Sequence, residues 1–183
     1  MSNPKIDRAA VLADAARRMT AQHELMDHAE KGPIGQYCVF WAGHVVKALA
    51  ARGVVACVNA GTAHWIVSPD PGDGQGAFSF GYEFEMTPTT VNRILGGTLP
   101  ELHAWAVIPP EHSDDGRPYI IDPTVPYIPE NCRLVLGFDP VHKFPEPYWF
   151  PMDEPPELAK CYRPHRTACA FVAAILHNAG ILP

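Results

Sequence analysis

Apolar and polar positions alternate along the chain with two different periods. Leu12, Ala15, Ala16 and Met19 fall three or four residues apart after Asn3-Pro4, which predicts a helix from Asp7 to about Glu30, closed by Gly32-Pro33. Cys38, Trp41, Ala42, Val45, Val46 and Leu49 repeat the helical spacing, and Arg52-Gly53 ends that second helix. Val54 to Ala60 and Ala63 to Ser68 are β-rich runs on either side of Gly61-Thr62, expected to be two paired strands with a tight connection. The stretch Pro69 to Gly74 reads as loop. Phe78, Phe80, Tyr82 and Phe84 alternate with a period of two, and Thr87-Pro88 opens a short helix to Leu95, stopped by Gly96-Gly97. Leu102 to Ile108 and Tyr119 to Ile121 predict a strand hairpin across a polar loop.

Proline then changes the picture. Fourteen of the 20 prolines fall between Pro100 and Pro164, so the segment 123–163 is expected to be extended or turn structure, with short strands near Leu134 and Tyr148, wrapping the core. A last helix from Pro164 to Ala179 would bury Ala168, Phe171, Val172, Ile175 and Leu176. Helices, then strands, then a helix predict an α+β fold with an antiparallel sheet in a single domain spanning 1–183.

Composition narrows the function. With 183 residues, 47% of them apolar and 19% charged, the chain has the material for one sizeable core. The longest apolar run, Ala168 to Leu176, is far short of a membrane span, and the N-terminus has no apolar signal core. The cytoplasm is therefore the expected compartment and no membrane partner is expected. A formal charge of −6 without a Lys/Arg block excludes a nucleic-acid partner. Five widely spaced cysteines, an odd number, argue against a disulfide framework. Cys161, His165 and Cys169 are spaced by four, but Pro164 separates Cys161 from the helix, so the three do not share a face and no metal site or other cofactor is expected.

Candidate chemistry centres on Cys38, in the first turn of its helix, where unpaired N–H groups and the helix dipole favour a thiolate and also stabilise an oxyanion. Cys38 equally opens an apolar stripe, so its helix position alone fits simple packing. His103 opens one strand of the predicted hairpin and Asp122 ends the other, so the carboxylate is expected to orient the imidazole while the second ring nitrogen faces the thiol. His64 and His44 compete for the base: His64 has a similar strand context, whereas His44 lies about 240° around the helix from Cys38. Gln36, the preferred side-chain donor to an oxyanion, and Tyr37 flank the thiol, and Trp105 either shields the Cys and His from water or is simply core, as strand aromatics more often are.

At these residues the chain resembles the transglutaminase-like branch of the papain-like cysteine enzymes, the thiol protease superfamily. Gly35-Gln36-Tyr37-Cys38 is similar to the nucleophile helix, and Ala51-Arg52-Gly53-Val54-Val55-Ala56 to the family's ARGIPA lead-in to the first strand. His103-Ala104-Trp105 and Asp122-Pro123-Thr124 resemble its HAW and DPT segments. The resemblance implies a nucleophile helix packed on an antiparallel sheet, with Cys38 as nucleophile, His103 as general base and then acid, and Asp122 as orienting carboxylate. The segment 69–100 is then an insertion, and the Pro-rich tail has no counterpart. The expected function is cysteine-dependent acyl transfer, hydrolysis first, on a protein, peptide or small amide or amine. Amine acylation or cross-linking, a catalytically inactive binding module and a metal-binding protein are the alternatives. An arylamine acetyltransferase is disfavoured because Arg-Gly-Gly-x-Cys is missing before Cys38.

Overall fold

The computed structural model describes residues 6–26, 32–68 and 77–183, and the loop expected at 69–74 lies outside them. The architecture is α+β, with an antiparallel sheet. Helix α1 (Arg8–Leu25) starts at Asp7, whose carboxylate accepts from the Ala10 N–H, and buries Val11, Ala15 and Met19, one face at a spacing of four. It ends earlier than expected, because Met26 is already extended; residues 27–30 of the predicted helix are outside the described ones. Helix α2 (Cys38–Ala50) follows a 3-10 turn at Ile34–Gln36 and is buried nearly all round.

Strand β1 (Cys57–Ser68) corrects the expected hairpin: it is one strand that runs straight through Gly61-Thr62. It pairs β2 (Phe78–Tyr82) through Ala63 to Ser68, β3 (His103–Ile108) through Cys57 to Gly61, and β6 (Ala159–Pro164) through Gly61 to Trp65. Gly61 is not a turn residue but a close-approach residue, since a Cβ there would lie 2.3 Å from the Arg163 carbonyl oxygen. Strand β4 (Tyr119–Asp122) continues the sheet beside β3, and β5 (Tyr148–Pro151) lies beyond it, giving the order β2-β1-β3-β4-β5.

Helix α3 (Pro88–Leu95) forms where Thr87 caps its N-terminus. A second correction falls at Leu134, which lies in helix α4 (Ile128–Leu136) rather than in a strand. Pro129 sits in the first turn of α4, and Gly137, with φ of 78°, ends it in the left-handed region. The last helix, α5 (Arg166–Asn178), begins two residues after Pro164, which instead ends β6; His165 caps it and Ala168, Val172 and Leu176 are its buried stripe. Phe171 and Ile175 are half-buried.

Helices α1, α2 and α5 cover one side of the sheet, packing Val45, Leu49 and Ala168 against Ala60, Ala104, Ala106 and Ile121. The other side holds Trp65, Trp105, Val107 and Ile120 beneath Ile128 and Cys132 of α4. Among the described residues no helix is long and apolar enough to cross a membrane.

Gly61→Ala is expected to destabilise the fold by about 2 kcal/mol or more, because backbone on both sides must move to admit the methyl group. Urea unfolding measures this; a midpoint equal to that of the native chain would refute the close-approach reading.

Candidate functional site

The strand register explains how His103 reaches Asp122. Val107 lies opposite Ile120, so those two side chains share a face; steps of two then put Trp105 and His103 on it from β3 and Asp122 on it from β4. His103 Nε2 is 2.9 Å from Asp122 Oδ2, with both side chains almost fully buried. The carboxylate is saturated: Oδ1 accepts from the Thr124 N–H (3.0 Å) and hydroxyl (2.7 Å), and Oδ2 also accepts from the Tyr162 hydroxyl at 2.7 Å. Tyr162 in turn accepts from Trp65 Nε1 at 3.0 Å. A donor chain from β1 through β6 therefore ends on the same oxygen as the imidazole.

Burial works against a charged imidazolium at His103, but the Asp122 carboxylate, its hydrogen bond and the Cys38 thiol outweigh it and raise the pKa to about 10. Burial likewise pushes Asp122 up, while His103, Thr124 and Tyr162 hold it below the usual carboxylate range. The second ring nitrogen, Nδ1, is buried with no hydrogen-bond partner of good geometry, and Cys38 is the thiol close enough to act on the ring. Cys38 itself is the first residue of α2, which opens without a side-chain cap, so its first N–H groups are not occupied by one.

Cys38 and His103 line one cavity of about 190 Å³, shared with Gln36, Tyr82, Glu101 and Asn131 among others. Tyr82 stacks on the imidazole with ring centroids 5.6 Å apart. Gln36 is exposed and lines this cavity. Tyr37 is not on that wall: its hydroxyl accepts from the Gly32 N–H at 2.8 Å and its ring stacks on Phe40. Trp105 is 1% exposed and stacks on His103 from within the core, so it backs the imidazole without lining the cavity.

Neither competing histidine joins the site. His44 is bonded through Nε2 to Gln22 of α1 at 2.6 Å, and burial holds its pKa down at about 4. His64 alternates with Trp65 along β1, and Trp65 contacts His103 edge-on at 4.9 Å, so His64 points to the other face, against Gly81.

All five cysteines are free. Cys161 lies on β6 and Cys169 on α5, where its sulfur accepts from the Ala60 N–H at 3.2 Å. Among the described residues no three His, Cys, Asp or Glu side chains form a group that could hold a metal ion.

Sequence reasoning missed Tyr162, Tyr82 and Asn131. Tyr82 belongs to the alternating aromatic run, which signalled a strand but not its target. Tyr162 and Asn131 lie in the Pro-rich region and carried no signal in the chain order. Comparison with family models, curated proteins and solved structures found no match.

The pair makes stability pH-dependent. Because the folded pKa of His103 is raised from 6.5 to about 10, its contribution is fully present below pH 6.5 and is lost as pH rises through that window; the depressed Asp122 adds a contribution that is lost in acid. Melting temperature is expected to fall from pH 6.5 towards pH 10, and Asp122→Asn to flatten that slope while costing about 3 kcal/mol near neutrality. Calorimetry across the range checks both, and an unchanged slope in the variant would contradict the ion-pair assignment.

Proposed function

We propose that this chain is a cysteine-dependent acyl-transfer enzyme of transglutaminase-like, papain-like type, using Cys38, His103 and Asp122. The observation that carries the reading is a buried imidazole held by a saturated carboxylate through Nε2, with no well-formed hydrogen bond at Nδ1, the Cys38 thiol acting on the ring, and both residues on one cavity. A raised His103 pKa supports it, since an imidazolium at neutral pH is the partner a thiolate requires. The packing of α2 on the antiparallel sheet agrees with a nucleophile helix.

In this mechanism the Cys38 sulfur adds to a substrate carbonyl carbon, forming a C–S bond, and the oxyanion is met by N–H groups at the start of α2 and by Gln36. The C–N bond then breaks as His103 delivers its Nδ1 proton to the leaving amine, which leaves a thioester. Water attacks the thioester, His103 takes the water proton, and the C–S bond breaks to release the acid and restore the thiolate. An amine in place of water gives a new amide by the same steps. Hydrolysis is favoured because exposed Gln36 and Glu101 border the cavity and admit water. Five free thiols fit a reducing compartment such as the cytoplasm.

Iodoacetamide alkylation, read cysteine by cysteine by peptide mass mapping, tests this proposal. Cys38 is expected to react at least tenfold faster than the other four near pH 7, all the more because burial raises the pKa of Cys57 and takes that of Cys132 to about 11. His103→Ala should remove most of that advantage. A Cys38 that reacts no faster than the others in native protein would make the chain a binding module instead.

A further inference from the structure

Among the polar side chains that line the cavity beside Cys38 and His103, Asn131 carries a buried acceptor without a partner. Asn131 lies on α4 and is only 4% exposed, and the acceptor is its Oδ1. A buried acceptor left unpaired is costly, and a native fold tolerates few of them. The polar neighbours do not relieve it: the Thr124 hydroxyl donates to Asp122, Glu101 takes the Glu83 N–H at 3.3 Å, and no N–H or O–H of Gln36, Tyr82 or Arg93, which share the cavity, is a partner of Asn131 Oδ1. Phe80, Leu99 and Ile128 give the cavity apolar walls beside these groups, so a bound molecule that displaces water from it can bring the missing donor.

We infer that Asn131 is a substrate-binding residue, whose Oδ1 accepts an N–H attached to the carbonyl that Cys38 attacks. This rests on the acyl-transfer reading and narrows it: the substrate is an amide, because an ester or thioester would bring no donor and leave Oδ1 unpaired. The leaving nitrogen is thereby held by Asn131 while His103 protonates it, and the same contact orients the carbonyl towards the start of α2.

Two alkylating probes of nearly equal size separate the possibilities. Chloroacetamide carries NH₂ on its carbonyl where chloroacetone carries CH₃, and rates at Cys38 are divided by those of glutathione to remove intrinsic reactivity. The native protein is expected to favour chloroacetamide by roughly two- to tenfold, the range of one neutral hydrogen bond. Asn131→Leu should abolish the preference by slowing chloroacetamide alone, with a melting temperature equal to or above that of the native protein because the orphan acceptor is gone. Asn131→Ser, whose hydroxyl is too short to make the same contact, serves if the leucine variant does not fold. A preference that survives in both variants overturns the inference. Equal slowing of both probes also overturns it, assigning Asn131 to the carbonyl oxygen if the fold keeps its melting temperature and to a structural role if it does not. A native Cys38 slower than glutathione with both probes is a different result, because then the acyl-transfer reading fails first.

Discussion

A carboxylate with no exposed surface is the constraint around which this fold is arranged. Asp122 lies in the interior, where an unpaired charge would be expelled from the folded state, and the structure meets that demand from three places in the chain. Thr124 folds back two residues to cap one oxygen; His103 arrives along β3; Tyr162 arrives along β6. The last of these requires β6 to lie against β1, which is possible only because Gly61 lets the Arg163 carbonyl come closer than any side chain would permit. A backbone contact and a buried charge are thus parts of one arrangement.

The same arrangement orders the aromatic residues. Trp65 lends its indole N–H to Tyr162 and meets His103 at right angles, while Tyr82 stacks on the imidazole. The imidazole is therefore fixed by packing on its faces and by the carboxylate at Nε2, and its remaining freedom lies in what meets Nδ1. Burying an ion pair adds little net stability compared with apolar side chains of the same shape. Its presence beside a cavity is better matched to holding a proton in place than to strengthening the core.

The parts of this picture readable in the chain were those set by local pattern. The periodicity of α1, α2 and β2, the Thr87-Pro88 start of α3 and the order Cys38, His103, Asp122 are all read from the chain itself, and the pairing of β3 with β4 follows from the polar loop that joins them. What was not readable depended on distant contacts. Gly61 looks like a turn in sequence because glycine serves both turns and close approach, and only the position of β6, about a hundred residues later, decides between them. At α4 the apolar run Leu134 to Leu136 suggested a strand, although Pro129 in the first turn and Gly137 after the last are the usual marks of a helix; the density of prolines around it obscured that signal. Asn131 was invisible for the same reason, since it acquires meaning only when α4 is laid over the cavity.

Two buried polar atoms of residues on one small cavity, His103 Nδ1 without a well-formed hydrogen bond and Asn131 Oδ1 without a partner, give the strongest physical reason to look for a ligand here. Each alone could be an incidental cost of packing. On the same cavity as Cys38, they differ in character: in the charged form of the pair His103 presents a donor, and Asn131 presents an acceptor. On the proposed function, an amide would offer the complement of both, with its carbonyl oxygen near the α2 amides, its N–H donating a hydrogen bond to Asn131 Oδ1 and its nitrogen taking the proton from His103. On that same proposal, a thioester or ester would satisfy only the carbonyl half of that requirement, so the pattern of unmet hydrogen bonds would select among carbonyl substrates more sharply than the volume or charge of the cavity.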